Sequence, residues 1–339
     1  MLTFFHPDQS LHHPRTYLSR GQMRSPQEIP NRATALLAAA QQTGCDIRIP
    51  QDHGMAPLLA VHDAGFLAFL AHAHADWTAQ HPDWGDEVMS NIYRKSLGQP
   101  RGILAQAAHH LADGSCPVGP HTWTSAYQAA QCAVDAAQAV LNGEAVAYAM
   151  CRPPGHHARS DAAGGFCYLN NAAIAAQHLR QHHGKVVILD VDMHHGQGIQ
   201  DIFYERADVM YISIHGDPTD FYPVVAGHAD ERGQGEGLGF NLNLPMPHHS
   251  AESVFFDQLE RALEAIQAFG PSALVLPMGF DTYVDDPQSL VAMTTPGFAR
   301  MARMLAQLRL PTVIVQEGGY HLPSLCDNAS AFIQAWEGA

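Results

Sequence analysis

The stretch "VVILDVDMHHG", residues 186–196, carries the strongest fold signal in the chain. Its first six residues are apolar apart from Asp190, which is typical of a parallel strand that helices cover on both faces. Carboxylates, histidines and a glycine follow the strand without a break. A short buried strand that runs directly into such residues predicts an open α/β sheet with a site at its edge.

Four further apolar runs resemble 186–191, and seven amphipathic helices are predicted around them. The other strands are predicted at 145–150, 209–214, 273–279 and 312–317. The helices are predicted at 31–43, 63–80, 124–142, 169–183, 250–269, 296–308 and 322–336. This alternation predicts one α/β domain over residues 1–339, with a central, mostly parallel sheet and helices on both faces. Residues 81–122, rich in Pro, Gly and His, are predicted to form an inserted excursion with binding or assembly contacts.

The composition argues against several classes of protein. The 339 residues are 46% hydrophobic, enough for a large core, but the apolar runs fall short of the roughly 20 residues of a membrane span. The 18 Lys and Arg against 33 Asp and Glu give a formal charge of -15, the wrong sign for binding duplex nucleic acid. No signal peptide is predicted, and six scattered cysteines indicate no disulfide framework. We expect a cytoplasmic protein with neither membranes nor nucleic acids as partners.

Polar clusters follow each of the five predicted strands. They lie at 152–157, 190–195, 213–217, 281 and 318–320. Ligands bind at the carboxyl ends of the strands in open parallel sheets. The five clusters are therefore expected to build one site at one edge of the sheet.

The cluster after residues 186–191 indicates a metal ion. Asp190, Asp192 and His194 alternate along the chain, so their side chains leave an extended backbone on the same face. Asp192 and His194, together with Asp281 from another strand end, would supply three oxygen and nitrogen ligands. Such a set leaves an open position for water, as catalytic zinc sites do, and Fe(II) or Co(II) would also fit it.

Two other clusters supply groups that a hydrolytic site needs. The rigid turn 153–155 precedes His156 and His157, and a neutral imidazole aimed by such a turn can act as a general base, a role worth roughly 10²–10⁴ in rate. In "EGGY", residues 317–320, two glycines let the chain turn tightly so that Tyr320 can point inward. Its hydroxyl would donate to a carbonyl oxygen that gains negative charge.

Taken together, the motifs resemble those of the zinc-dependent histone deacetylase superfamily. They are "RPPGHHARSDAAGGFCYLNNAA", "ILDVDMHHGQGIQDIFY", "ISIHGDPTDFYP", "PMGFDTYVDDP" and "EGGY", in this order along the chain. The likeness is closer to the bacterial acetylpolyamine amidohydrolases, and it covers almost the whole chain. It implies an arginase/deacetylase-like fold and zinc-dependent removal of acetyl or other acyl groups from small acetylated amines such as polyamines and diamines.

The resemblance also implies roles for the clustered residues. Zinc would be bound by Asp192, His194 and Asp281. His157 would be the general acid and base, with His156 as its electrostatic partner.

Tyr320 would polarise the amide carbonyl. The narrow tunnel for the methylene chain of the acylated amine would be walled by Gly165 and Phe166 and by Phe221 or Tyr222.

A structural potassium ion near the zinc is implied as well. Its matching ligands are the Asp190 carboxylate, the Ser213 hydroxyl and the backbone carbonyls of Asp190, Asp192, His194 and Ile214. In this arrangement Asp190 supports His156 and does not bind zinc.

The chain departs from the family at two places. Gln197 stands where the family has Asp or Asn after "HHG", so the expected partner of His157 is a neutral amide, and no carboxylate stabilises the imidazolium. Polyamine-selective relatives place acidic residues at positions that here match Tyr17 and Leu104. The second departure favours short acetylated diamines, acetyl-lysine or another small amide over long polycations.

The family further implies a homodimer built through the excursion at 81–122. Apolar anchors for this contact are predicted at Trp84, Met89, Ile92, Tyr93 and Ile103.

The sequence leaves two other functions open and argues against two more. A protein acetyl-lysine deacetylase of the histone type stays open as the alternative, and an acyl-lysine-binding module with weak catalysis is a remote one. An arginase-like binuclear manganese site would need a second Asp-x-Asp pair, whereas Asp281 is followed by Thr282 and Tyr283. A phosphate loop at 233–239 is disfavoured because this stretch leads into a β-rich segment and has no lysine behind it.

Overall fold

A wholly parallel sheet of eight strands forms the centre of the computed structural model, which describes residues 1–94, 98 and 100–339. The strands in the described part of the chain are β1 Leu2–Phe4, β2 Tyr17–Ser19, β3 Gln22–Arg24, β4 Asp46–Arg48, β5 Val146–Ala149, β6 Val186–Asp190, β7 Val209–Gly216, β8 Asn241–Met246, β9 Ser250–Ala251, β10 Ala273–Met278, β11 Val291–Ala292 and β12 Thr312–Gln316. The order across the sheet is β4-β1-β5-β12-β10-β6-β7-β8, and each neighbouring pair is parallel.

Two short pairings lie outside this sheet, the hairpin β2–β3 and the parallel pair β9–β11. The helices in the same described residues are α1 Pro30–Gln42, α2 Ala56–Leu59, α3 Ala64–Gln80, α4 Ile103–His110, α5 Thr122–Leu141, α6 Asn171–Arg180, α7 Gln197–Phe203, α8 Glu252–Phe269, α9 Thr295–Ala306 and α10 Leu322–Glu337.

The five strands predicted from apolar runs are β5, β6, β7, β10 and β12, and they lie side by side in the sheet. Alternate residues of β6 serve its two faces. Val187 and Leu189 pack in the same core as residues of α1, α8, α9 and α10, whereas Val186 and Ile188 pack with α5, α6 and α7. The predicted fold class, a single α/β domain with helices on both faces of the sheet, is confirmed.

The seven predicted helices are found as α1, α3, α5, α6, α8, α9 and α10. Local capping explains several of their ends. The Asp63 side chain accepts the Gly65 and Phe66 N–H groups at the start of α3, and Gly270 ends α8 in the left-handed conformation. The helices α2, α4 and α7 were not predicted, because segments of four to eight residues give too few turns for a periodic pattern.

Part of the excursion at 81–122 is buried in a core cluster with α3 and α5; its residues 95–97 and 99 lie outside the described part of the structure. Ile103 is 2% exposed and lies in a core cluster with side chains of α3 and α5, so the prediction that it anchors a partner chain is wrong. Met89 is half-buried. Trp84, Ile92 and Tyr93 keep exposed apolar surface.

Across the described residues, no helix combines the length and the apolar character that a membrane crossing requires.

Candidate active site

The segments that follow β5, β6, β7, β10 and β12 meet around one pocket with a volume of about 1140 Å³. His157, His194, Gln197 and Tyr320 line this pocket, from the three segments that follow β5, β6 and β12. Five parallel strands lie next to one another, and their carboxyl ends bring together side chains that are far apart in sequence. The arrangement is that of a cleft at the edge of an open α/β sheet.

Three buried side chains form a compact group of metal-binding type. Ligand atoms of Asp192, His194 and Asp281 all lie within 4.8 Å of one another. His194 Nδ1 is 3.2 Å from Asp192 Oδ1 and 3.0 Å from Asp281 Oδ2. The Gly318 N–H donates to Asp192 Oδ2 at 2.8 Å, and the Met193 N–H donates to Asp281 Oδ1 at 3.0 Å. The His194 N–H also donates to Asp192 Oδ1 at 2.9 Å, so the backbone holds both oxygens of Asp192 and one oxygen of Asp281.

The electrostatics of this group favour a cation. Burial and the Asp192 carboxylate raise the pKa of Asp281 to about 7. Burial opposes the charged form of His194, but hydrogen bonds to Asp192 and Asp281 outweigh it and raise the pKa of His194 to about 9. Two buried carboxylates thus draw positive charge to one point, and two oxygen donors with one nitrogen donor fit a divalent ion such as zinc.

The adjacent histidines have opposite environments. His156 Nδ1 lies 3.0 Å from Asp190 Oδ2, and although burial opposes its charged form, Asp190 and Asp192 raise the pKa of His156 to about 10. His157 Nδ1 lies 2.7 Å from Gln197 Oε1. Burial, followed by the neighbouring His156 and a further histidine, lowers the pKa of His157 well below its ordinary value. At neutral pH the pair therefore holds one charged and one neutral imidazole.

Asp190 accepts hydrogen bonds from other groups besides His156. Its Oδ2 also accepts the Tyr211 hydroxyl at 3.0 Å, and its Oδ1 accepts the Asp192 N–H at 3.1 Å. Ser213 stands opposite Asp190 in the β6–β7 register, and its Oγ lies 2.8 Å from His215 Nδ1. Ile214 follows Ser213 in β7, so the side chains and carbonyls expected around a potassium ion belong to β7, to Asp190 at the end of β6 and to the segment that follows β6.

The turn that carries Tyr320 is held from several sides. Gly319 has a φ of +120°, a conformation that residues with a Cβ rarely adopt, and Asp286 Oδ2 accepts the Tyr320 N–H at 2.6 Å. The Arg32 guanidinium lies 4.7 Å from the centre of the Tyr320 ring. Burial and nearby carboxylates raise the pKa of Tyr320 well above its ordinary value although Arg32 opposes them, so its hydroxyl stays a hydrogen-bond donor.

Aromatic side chains and a glycine line the approach to the histidines. A Cβ placed on Gly165, whose φ is +57°, would lie 2.3 Å from His157 Cδ2 and 2.8 Å from Tyr222 Cε1, so only glycine fits there. The Tyr222 ring meets the His157 ring edge-on, with centres 4.8 Å apart. Phe166 also lines the pocket, with its ring centre 6.1 Å from that of Tyr320, and Phe221 stacks on His194 with ring centres 4.8 Å apart.

Several buried residues of the site were not predicted from the sequence. Glu317 accepts the Gly155 N–H at 2.7 Å and the His156 N–H at 3.1 Å, and it thereby ties the turn of the histidine pair to the turn of Tyr320. Arg32 donates to the Glu317 carbonyl and to the Gly319 carbonyl, at 2.6 Å in each case. Glu317 is part of the motif "EGGY", but the motif does not indicate that its carboxylate is buried and accepts two backbone N–H groups.

Arg32 and Arg152 share one buried carboxylate. Glu28 Oε1 lies 2.9 Å from Arg32 Nη1 and 2.8 Å from Arg152 Nε. Burial alone would raise the pKa of Glu28, but Arg152 and Arg32 outweigh it, and the pKa of Glu28 is lowered. Arg152 precedes His156 in the sequence, and Arg32 is bonded to the carbonyls of Glu317 and Gly319. The ion cluster therefore connects the segments that carry the histidine pair and Tyr320.

The two positions considered for substrate selectivity lie in different surroundings. Tyr17 lines the pocket and meets the Phe166 ring edge-on at 5.1 Å between centres. Leu104 lies in α4, within the excursion, and packs against a core cluster that also contains side chains of α3 and α5. The rim carries Arg20, Arg24 and Asp220 among other polar residues, so it has charges of both signs.

Comparisons with known proteins agree with this architecture. The sequence model of the histone deacetylase domain matches residues 25–336. The chain is 64% identical to acetylpolyamine amidohydrolase of Burkholderia pseudomallei, over 98% of this chain and 97% of the relative. It is 41% identical to acetylpolyamine amidohydrolase 1 of Pseudomonas aeruginosa, over 100% and 99%. The crystal structure of acetylpolyamine aminohydrolase from Burkholderia pseudomallei superposes with a TM-score of 0.98 at 64% identity, and 99% of this chain and 98% of that chain are covered.

Proposed function

The chain belongs to the histone deacetylase family, and from this premise we propose that it is a metal-dependent amidohydrolase that removes acetyl groups from small acetylated amines. Acetylated diamines and polyamines are the proposed substrates, because two relatives that match nearly the full chain are named acetylpolyamine amidohydrolases. The observation that carries the proposal is the convergence of His157, Tyr320 and the group Asp192, His194 and Asp281 on a single pocket.

Asp192, His194 and Asp281 are the residues proposed to hold the metal ion, with zinc first and Fe(II) or Co(II) as other fits to their donor set. A divalent ion there would supply a Lewis acid for the attacking water and for the amide carbonyl. The residues of the chain then have three tasks, which are to orient the amide, move a proton and stabilise negative charge on the carbonyl oxygen.

His157 is the proposed carrier of the proton. Its Nδ1 is engaged by Gln197, so its Nε2 is the nitrogen left to accept a proton from the attacking water. The water oxygen bonds to the carbonyl carbon, the carbon–nitrogen bond breaks, and His157 returns the proton to the departing amine. The products are acetic acid and the amine, and the acid proton passes to the amine, so they leave as acetate and an ammonium group.

Tyr320 and His156 supply the electrostatics in this proposal. The Tyr320 hydroxyl would donate to the carbonyl oxygen as it gains negative charge, a contribution of about 10²–10³ in rate. His156, which holds its proton at neutral pH, keeps positive charge beside His157 and disfavours a second proton on it in the resting state. Gly165, Phe166 and Tyr222 are proposed to enclose the methylene chain, with Phe221 behind His194.

Three further elements of the proposal concern a second ion, the oligomeric state and the location of the protein. We place a potassium ion at the Asp190 and Ser213 side chains with the carbonyls of Asp190, Asp192, His194 and Ile214. A homodimer through the excursion is supported by the exposed apolar surface of Trp84, Ile92 and Tyr93. Light scattering of wild type and Ile92→Asp tests the dimer, because a charge at the contact should yield monomers.

The protein is proposed to act in the cytoplasm.

A substrate panel tests the proposed reaction. Acetylputrescine, acetylcadaverine, acetylspermidine and an acetyl-lysine peptide are compared by kcat/KM with the metal-loaded protein. The proposal predicts that a free acetylated amine ranks first. If the peptide exceeds every free amine, the alternative of a protein deacetylase is correct instead.

A matched pair of variants tests the assignment of His157. His157→Ala should lose at least about 10²-fold in kcat. His53→Ala removes a histidine that is hydrogen-bonded to Asp135 outside the pocket, and it should retain wild-type rates. Equal background rates in wild type and His157→Ala would leave an acyl-amine-binding protein without catalysis as the remaining interpretation.

A further inference from the structure

Gln197, the neutral partner of His157, is itself held by two other side chains. Its Nε2 donates to the Tyr222 hydroxyl at 3.3 Å, and the Tyr222 hydroxyl donates to Asp113 Oδ2 at 2.7 Å. Together with the 2.7 Å contact from His157 Nδ1 to Gln197 Oε1, these bonds form a continuous chain of four side chains. Asp113 lies in the excursion at 81–122, so the inserted segment reaches the general base.

Asp113 is fixed as an acceptor. Its Oδ1 accepts the Ser115 N–H at 2.8 Å and also the Ser115 hydroxyl, and its Oδ2 accepts the Gly165 N–H at 3.2 Å along with the Tyr222 hydroxyl. All of these partners are donors, as an ionised carboxylate requires. Asp113 therefore holds two neighbouring residues of the proposed tunnel, Gly165 through its N–H and Tyr222 through its hydroxyl.

Because Asp113 can only accept, each hydrogen bond in this series of side chains has a defined donor and a defined acceptor. The single Tyr222 hydrogen is committed to Asp113, so the Tyr222 oxygen can only accept from Gln197. This turns the NH₂ of the amide toward Tyr222 and its carbonyl toward His157. Because the amide oxygen can only accept, neutral His157 must carry its hydrogen on Nδ1, which leaves the Nε2 lone pair free.

The opposite amide orientation leaves a group without a partner. With Gln197 Oε1 turned toward Tyr222, two acceptors would compete for one hydroxyl hydrogen, and the amide NH₂ would force His157 into the tautomer with hydrogen on Nε2. The His157 ring itself has little room to rotate, since Gly165 and Tyr222 pack against it. The orientation of the Gln197 amide therefore determines which tautomer His157 adopts.

We propose that Asp113 and Tyr222 are positioning residues that, through Gln197, hold His157 in the tautomer that leaves Nε2 free as the base. The consequence for catalysis rests on the proposed function, whereas the tautomer itself does not. In this view the carboxylate that is missing beside His157 is replaced by one that acts two side chains away.

Tyr222→Phe is the primary test, because it removes the hydroxyl and keeps the aromatic wall. The energy difference between the two amide orientations is of the order of one hydrogen bond, so we expect kcat to fall about threefold to tenfold with KM nearly unchanged. Asp113→Asn can accept or donate and should lose a similar factor. The double variant should be no slower than Tyr222→Phe, because both changes break the same chain. The control is Tyr127→Phe, which removes a tyrosine–aspartate bond to Asp52 outside the pocket.

Nitrogen-15 NMR of the histidine rings in zinc-reconstituted protein gives a readout that needs no turnover, with His157 assigned through His157→Ala. Wild type should show His157 protonated on Nδ1, and Tyr222→Phe should show a mixture of tautomers. An unchanged tautomer in a folded Tyr222→Phe protein overturns the proposal. So do multiplicative losses in the double variant, or a raised KM with kcat preserved. If wild type hydrolyses no acetylated amine, the proposed function fails, and the NMR result still decides the positioning role.

Discussion

Replacing Gln197 by Glu restores a carboxylate beside the candidate base and should move its titration. Gln197 Oε1 lies 2.7 Å from His157 Nδ1, which puts the two charge centres of the variant about 4 Å apart. At an effective dielectric constant of about 20, this pair is worth about 4 kcal/mol, or about 3 pKa units. Burial of the new carboxylate, at a position only 3% exposed, offsets part of the gain. We expect the pKa of His157 to rise by about 1–3 units.

The sign of the effect follows from the proposed role of His157 as a base. In wild type, burial and the charged His156 lower the pKa of His157, so the ring is neutral and active well below pH 7. A raised pKa keeps the ring protonated to higher pH, so the acidic limb of the kcat/KM profile should shift upward by about 1–3 units. Below this limb the variant should be at least about tenfold slower than wild type, and it should recover at alkaline pH.

The assay is the pH profile of kcat/KM for acetylputrescine, with metal content measured for each protein. Gln197→Met is the matched control, since it removes the hydrogen bond without adding charge and should lower the rate without an upward shift of the limb. If the limb of a folded, metal-loaded Gln197→Glu protein stays in place or moves to lower pH, His157 is not the base.

Three other variants test separate parts of the site. Tyr320→Phe should lower kcat by about 10²–10³ in steady-state assays with the fold intact, and a loss below about tenfold would remove the hydroxyl from the mechanism. Glu317→Leu leaves two buried N–H groups without an acceptor and should cost about 2–6 kcal/mol in urea unfolding, whereas Glu317→Gln keeps an acceptor and should be milder; equal losses would contradict the contact. Glu28→Gln should destabilise by about 3–5 kcal/mol near neutral pH, because it leaves two buried arginines poorly compensated. The folded pKa of Glu28 is lowered, so its contribution is present above its unfolded pKa and is lost as the pH falls through the folded pKa; a stability difference that grows on acidification would refute this account.

The central strands could be predicted from the sequence because each is a nearly continuous apolar run. Two short strands on one side of the sheet could not be defined as well. Strand β4, Asp46–Arg48, has two charged residues out of three, and β1, Leu2–Phe4, has only three residues, so neither has a pattern of its own. Their place comes from pairing with neighbours in the sheet.

The candidate site was predictable to the extent that its residues lie in compact motifs. The metal-binding group, the histidine pair and Tyr320 each sit directly after a predicted strand, and the structure gathers them around one pocket. The contact between Asp113 and Tyr222 spans 109 positions, and no periodicity relates the two residues. Such contacts depend on how loops pack, which is why the sequence indicated the candidate reacting groups but not the side chains that are proposed to orient them.

Metal reconstitution tests the central claim most directly. The protein is stripped with a chelator, zinc is added in steps, and acetylputrescine hydrolysis is followed together with bound zinc, for wild type and for Asp281→Ala. We predict no hydrolysis in the stripped protein and activity that rises in proportion to zinc and saturates at one ion per chain, with both binding and activity lost in Asp281→Ala. Full hydrolysis by the metal-free protein, or saturation only at two ions per chain, would contradict the account.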